Sequence, residues 1–403
     1  MSTDQVSKYL SSYAEPEVDL LNSFPDLYFQ NVLVIPAYKE PTEFIDPYIN
    51  GKFSSLLIVL VINQPLSVDD ETEQQALFNH LSSNCTTQWQ NEHLTLFQMN
   101  EPSSAILCIS RYQADLRMKE NQGVGIARKM AADCALKLTQ SMHIGCHWIA
   151  STDADAVLPD NYFQLLQQQQ KCAALTFNFV HEVNQGPVSQ ATKIYEQSLH
   201  YYQRGLAWAG SPYAFYSLGS CLAINTFDYA KVRGFPKRSG GEDFYLLNKL
   251  TKIGVIKHCP EISVHIQSRL SERVPFGTGP AVGKILKLDT PHDYQYYHPD
   301  VFNELKACLI SLMQLSPVAE IEQWQGLFKA SHYEWLVEQG LERLFLHQQQ
   351  QNINQEQLLQ HAMNWFDGLM TLRFIHYIRD SEIPNCNLVD AMEKSSFFTT
   401  NIP

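Results

Sequence analysis

The sequence has no Cys-x-x-Cys pair, no apolar stretch long enough to span a bilayer and no excess of basic residues. Its nine cysteines are scattered singly. Cys108, Cys221 and Cys308 sit in apolar stretches, where cysteine behaves as a small buried hydrophobe, so the expectation is a reduced chain. The longest purely apolar run, residues 56–62, is far short of the roughly 20 residues of a membrane-spanning helix. Residues 1–20 are polar and acidic, without the basic segment and apolar core of an export signal. With 29 Lys+Arg against 42 Asp+Glu, the net charge is −13, which argues against a general nucleic-acid binder. An anionic ligand therefore needs a local cluster of cations or a metal ion. The resulting expectation is a cytoplasmic protein with no transmembrane segment and no nucleic-acid partner.

What is present is ordinary globular composition, 45% hydrophobic and 18% charged over 403 residues. That length predicts two or three units, or one large α/β domain with an appendage. Strands are predicted at 31–35, 56–62, 105–110, 148–151, 173–180, 220–224 and 262–266, with a helix over 125–139. Residues 66–104 read as polar and irregular, with a helical piece near 73–82. The rhythm predicts an α/β fold with a mainly parallel sheet flanked by helices. From about residue 292 the pattern is helical only, over 301–315, 321–347, 355–367 and 369–379. The expected division is a lead-in over 1–30, a catalytic domain over 31–290 and a helical C-terminal subdomain over 291–403.

Four segments could carry chemistry. Asp153-Ala154-Asp155 follows a predicted buried strand, at the sheet edge where open α/β folds bind ligands. Two carboxylates one residue apart can share Mg²⁺ or Mn²⁺, or can simply cap the next helix. Gly240-Gly241-Glu242-Asp243 opens an amphipathic helix, so its carboxylates either complement the helix dipole or include a general base. Pro36-Ala37-Tyr38-Lys39-Glu40 is a strand running into a loop, either a nucleotide cradle or a strand end stopped by proline. In Asn121-Gln122-Gly123-Val124-Gly125-Ile126-Ala127-Arg128, Arg128 stands where a dinucleotide fingerprint needs its third glycine, which excludes that reading. Arg128 can instead reach a diphosphate, or be an ordinary surface arginine.

In order, VIPAYKE, NQGVGIARK, STDADAVLPDNYF and GGEDFYL resemble the V-I-P-A-Y-N-E, N-x-G-x-x-x-A-R-N, D-x-D and G-x-E-D signatures of family-2 glycosyltransferases of the GT-A fold. The resemblance covers roughly residues 30–270. It implies a GT-A-like, Rossmann-type mixed sheet and a transfer from a nucleotide-diphosphate sugar, UDP- or GDP-linked, to an acceptor hydroxyl. It implies that Pro36, Ala37, Tyr38, Glu40 and Asn63 hold the nucleotide. Arg128 would order the D-x-D aspartates near the diphosphate, with Asp153 and Asp155 acting through ribose and a divalent metal, Mn²⁺ or Mg²⁺. Asp243 would be the general base with Glu242 beside it, and the outcome inversion at the anomeric carbon.

The sequence also departs from the family. Asn63 stands where an acidic residue usually ends the second strand, and Lys39 and Lys129 stand where Asn is common. The spacing between Asn63 and Arg128 predicts an insertion over 66–110. No Q-x-x-R-W motif follows Asp243, so single transfer is expected rather than processive synthesis. Past the core, His265 reads as a third metal ligand or a buried structural histidine. The stretch 269–279, with Arg269, Arg273 and a Gly-Thr-Gly loop, reads as a lid able to reach the diphosphate or as a solvated surface loop. Tyr201, Tyr202, Trp208, Tyr213 and Phe215 read as an acceptor surface or as core. The acceptor is open, a saccharide or a lipid-linked sugar, the latter consistent with contact at the inner membrane surface. Two other readings stand beside this one: a catalytically degenerate sugar-nucleotide-binding scaffold and a nucleotidyltransferase.

Overall fold

The computed structural model describes residues 3–182, 186–269, 277–351 and 353–398. The chain divides into two compact units, one of Met1–Lys193 with Tyr216–Lys284, the other of Ile194–Phe215 with Ile285–Pro403. The lead-in thus belongs to the first unit, and a segment from mid-chain belongs with the C-terminal helices.

The first unit is built on a ten-stranded sheet. In chain order its strands are β1 (Asn31–Ala37), β2 (Leu56–Asn63), β3 (Thr86–Asn91), β4 (Leu94–Gln98), β5 (Ala105–Arg111), β6 (Trp148–Ser151), β7 (Ala156–Val157), β8 (Ala174–His181), β9 (Leu222–Asn225) and β10 (Ile256–Ile266). Their spatial order is β3-β4-β5-β2-β1-β6-β9-β8-β10-β7. Only β4, β9 and β7 run against the common direction, so the sheet is mixed and mainly parallel. Every residue of β1 and β2 is buried, which is why both read as unbroken apolar runs rather than alternating ones. The helix Gly123–Gln140 packs across β1 and β2.

Several boundaries differ from expectation for identifiable reasons. β1 continues through Pro36 to Ala37, because the ladder to β6 covers only Leu33 and Val34 and the proline ring lies beyond it. β10 is longer than predicted, and its register shift between Cys259 and Ser263 accommodates Pro260. The irregular segment after β2 holds the helix Thr72–Asn84 and the β3–β4 hairpin. That hairpin turns at Glu92, with φ of 51°, rather than at Asn-Gly, and β3 is a polar edge strand. Both features remove the usual sequence signals.

The N-terminal helix Thr3–Ser12 is pinned to the first unit by a buried polar network. Asp133, fully buried, accepts from Tyr9 Oη at 2.5 Å, Tyr229 Oη at 2.8 Å, Lys129 Nζ at 2.8 Å and Glu15 N at 2.9 Å. Lys129, the departure from the family's Asn, is the counter-ion of this network.

The second unit is helical, with a core that includes Tyr201, Phe302, Trp324, Trp335 and Phe374. The predicted long helix over 321–347 is three, Ile321–Gln325, Ala330–Glu338 and Leu341–Gln351, the last two parted at Gly340 with φ of 104°. A two-residue pairing, Gln295–Tyr296 against Cys386–Asn387, escaped the sequence reading. All nine cysteines are free. Among the described residues, no helix is long and apolar enough to cross a membrane.

Asp133→Ala removes the nearest carboxylate from the buried Lys129 ammonium and leaves it Glu15 at 3.9 Å, a loss of about 3–5 kcal/mol. The double variant Lys129→Met/Asp133→Leu is expected to recover most of it, both read by chemical denaturation.

Candidate functional site

The common strand direction brings the carboxyl ends of β1, β2, β5 and β6 to one edge, where three of the four motif segments emerge. Ala37 pairs with Ile62, so the Tyr38–Glu40 loop leaves the sheet beside Asn63, and Thr152 N donates to Val34 O at 3.1 Å where β6 runs into Asp153. The fourth segment, the start of the helix Glu242–Thr251, is drawn in by the helix Gly123–Gln140. Gly125 N donates to Arg238 O at 2.9 Å, and a Cβ on Gly125 would stand 2.5 Å from Pro236 O. The glycine of NQGVG is therefore what lets the 236–239 loop lie against the helix start.

Arg128 joins the segments. It is 2% exposed, and every guanidinium nitrogen is engaged: Nε donates to Glu242 Oε1 at 2.9 Å, one terminal nitrogen to Asp153 Oδ1 at 2.8 Å, the other to Ser151 Oγ at 2.8 Å and Gly219 O at 3.1 Å. Burial works against its charge, but Asp153, Glu242 and Asp243 outweigh that and hold its pKa above the ordinary arginine value. Arg128 orders the D-x-D turn, and its hydrogen bonds are committed to protein atoms.

Asp243, partly buried, accepts from Phe244 N at 2.7 Å. Burial, then the charge of Glu242, push its pKa up to about 7, against the opposing pull of Arg128 and the Phe244 N–H. A carboxylate titrating there is suited to general-base work near neutrality. Glu242, 3% exposed and bound to Arg128, is a positioning residue behind it.

A second guanidinium closes the other side. Arg269 grips Glu40 with two parallel hydrogen bonds of 2.6 and 2.9 Å, and its Nε donates to Asp155 Oδ2 at 2.8 Å. The first-strand loop and the D-x-D turn are thereby tied together. Among the described residues, four carboxylates (Glu40, Asp153, Asp155, Glu242) are ion-paired with two guanidinium groups, with Asp243 next to Glu242. Lys39, beside Tyr38, holds φ of 53°, a left-handed conformation that Asn tolerates better than Lys.

Not every expected residue joins. His265 is exposed on β10, paired in register with Val157, and among the described residues Asp153, Asp155 and His265 do not form a group with all ligand atoms within 4.8 Å. The alternation of β10, which buries Val264 and Ile266, turns His265 to the other face. Glu304, His332 and Glu382 of the second unit do form such a group, with the Lys329 ammonium 3.4 Å from Glu304 and 2.6 Å from Glu382. Arg273 lies outside the described residues. Tyr201, Tyr202, Trp208, Tyr213 and Phe215 belong to the second unit, Tyr201 and Tyr213 among its buried residues and Trp208 with Lys306 over its ring.

Sequence reasoning missed Ser151, Gly219 and the Glu40–Arg269 pair. The antiparallel pairing of Ser151 with Leu222 sets the 219–221 turn against Arg128, a contact across 91 positions that no local pattern announces. A Cβ on Gly219 would meet the Arg128 guanidinium at 2.3 Å. Gly219→Ala is therefore expected to destabilise by about 1–3 kcal/mol. Gly283→Ala, on a helix with nothing within 4 Å of the added methyl, is expected to stabilise by up to about 1 kcal/mol. Thermal unfolding of the two variants reads the opposite signs.

No family model matches the chain, and no curated protein matches it. Among solved structures it is similar to the crystal structure of GalNAc-T7 with UDP, GalNAc and Mn²⁺, at 10% identity and a TM-score of 0.32. That match covers 81% of this chain and 59% of the other, so the chain spans less than two thirds of the structure it resembles.

Proposed function

We propose that the first unit is a GT-A glycosyltransferase of the family-2 type, transferring a sugar from a UDP- or GDP-linked donor to an acceptor hydroxyl with inversion, once per encounter. The observation that carries this reading is the pair of ion networks joining all four motif segments: Arg128 with Asp153 and Glu242, and Arg269 with Glu40 and Asp155. Four signatures in sequence order would be coincidence on separate faces. Converging on one sheet edge with a carboxylate raised to about 7, they fit a single reaction.

The donor set fits a divalent ion, because oxygen ligands with surplus negative charge suit Mn²⁺ or Mg²⁺. Asp155 would hold it, with Asp153 beside it and held by Arg128. When bound, such an ion supplies positive charge to the diphosphate leaving group. The other work falls to the chain itself. The Asp243 carboxylate accepts the acceptor hydroxyl proton as that oxygen attacks the anomeric carbon. Glu242 and Arg128 keep Asp243 and Asp153 in fixed relation, and Tyr38 and Asn63 line the side where a base and ribose would lie. Attack opposite the diphosphate inverts the configuration. The acceptor is a saccharide or a lipid-linked sugar, and a cytoplasmic location is part of the same reading.

Calorimetric titration of UDP, GDP, UDP-glucose and GDP-mannose, with Mn²⁺ or Mg²⁺ and then with EDTA, tests the donor site. One nucleotide class is expected to bind in a metal-dependent way that Asp155→Ala abolishes. Absence of binding by any of them to the folded protein would falsify the reading. With donor and acceptor identified, Asp243→Asn is expected to lower turnover about 10²–10⁴-fold while donor affinity is retained.

The pH dependence has a defined sign. A base must be ionised, so kcat/KM rises as pH increases through about 7. The same raised pKa means that the folded state binds a proton more tightly than the unfolded chain. Stability therefore falls between the ordinary carboxylate range and pH 7, and Asp243→Asn should unfold at a higher temperature than the native protein at pH 8. A lower melting temperature for that variant at pH 8 would contradict the assignment.

A further inference from the structure

We propose that Arg269 and a divalent cation are alternative occupants of the Glu40–Asp155 carboxylate pair, so that a metal binds there only when Arg269 leaves Asp155. This inference rests on the donor-site reading above and concerns how that site is gated.

The geometry is that of a filled cation site. The Glu40 side chain is 7% exposed and that of Asp155 19%, and one guanidinium meets both, with contacts of 2.6 Å to Glu40 and 2.7 Å to Asp155. Two carboxylates so shielded from water require positive charge between them. Arginine supplies it permanently, because its guanidinium does not deprotonate, and its fork fits Glu40 bidentately in a way lysine does not. A divalent ion at Asp155 would then lie within contact range of a fixed positive charge, and the two repel. Both Arg269 contacts to Asp155 end on Oδ2, so an ion at that oxygen and Arg269 compete for it.

The exchange gives Arg269 somewhere to go. A nucleoside diphosphate brings oxygens that a guanidinium recognises in the same bidentate way as a carboxylate. When the diphosphate arrives, Arg269 trades Asp155 for phosphate, and Asp155 becomes available to the metal. Metal and nucleotide therefore bind cooperatively, and each binds weakly alone. Arg269 is thus a positioning residue that sets the metal requirement of the site rather than a bystander on its rim.

The test is Mn²⁺ binding to the full chain, followed by electron paramagnetic resonance, with and without UDP or GDP. For the native protein, nucleotide is expected to tighten Mn²⁺ binding. In Arg269→Met without nucleotide, Mn²⁺ should bind about tenfold more tightly or better than to the native protein, and nucleotide should add little. Asp155→Asn in the Arg269→Met background should remove that gain. Arg269→Lys, which keeps the charge and the fold but not the fork, should lie between. Equal Mn²⁺ affinity in native and Arg269→Met proteins overturns the exchange, as does a gain that survives Asp155→Asn. Should Arg269→Met fail to fold, the decision passes to Arg269→Lys, whose Mn²⁺ affinity equal to native overturns the proposal. The two readings fail separately. Tighter Mn²⁺ in the variant with no nucleotide effect in any protein upholds the exchange and removes the transferase, whereas nucleotide binding with unchanged Mn²⁺ affinity does the reverse.

Discussion

A guanidinium group buried to 2% exposure cannot shed its proton, so the surrounding protein must answer its charge or lose stability. Arg128 imposes that demand on this fold. Asp153 and Glu242 answer the charge, while Ser151 Oγ and the Gly219 carbonyl take the remaining N–H groups. These partners come from a strand end, a turn before β9 and the start of a helix, all distant in sequence. None can shift alone without stranding a buried charge. The part of the acidic site that Arg128 holds is therefore tied to the core beneath it, although its atoms lie at the sheet edge.

The second consequence is electrostatic. Among the described residues, four carboxylates of the site are paired with two guanidinium groups, and Asp243 makes no direct guanidinium contact. Glu40 and Asp155 have Arg269, and Asp153 and Glu242 have Arg128. Asp243 accepts one backbone N–H, and burial first, then the charge of Glu242, raise its pKa against the pull of Arg128. A carboxylate that titrates near neutrality thus arises from burial combined with the charge of its neighbour.

Much of this was legible in the sequence. The strands with unbroken apolar runs, 31–35, 56–62 and 148–151, lie where expected because residues buried on both faces leave no other reading. The motif segments were visible, and Arg128 was singled out as a partner of the aspartates, one of which, Asp153, accepts its hydrogen bond. Illegible were features fixed by pairing at long range: Gly219 against Arg128, Arg269 between Glu40 and Asp155, and the polar edge hairpin turned at Glu92. His265 shows the limit from the other side. A histidine at a strand end invites a metal, but the two-residue period of β10, set by burial of Val264 and Ile266, turns it outward. The aromatic run from Tyr201 to Phe215 was ambiguous between ligand surface and core, and its membership of the second unit could not be read without the C-terminal helices.

That membership bears on how the chain is made. Tyr201 is fully buried among residues that include Phe302, Phe397 and Phe398, with ring centroids 5.4–5.9 Å away. Nearly two hundred further residues must leave the ribosome before those last rings exist. At about 5–20 residues per second, that interval is roughly 10–40 s. Until residues 299–378 have followed, the aromatic face of residues 194–215 lacks the helices that bury it. The second unit therefore has a nascent stage in which this aromatic face stands open to chaperones, and its packing is completed only with Phe397 and Phe398.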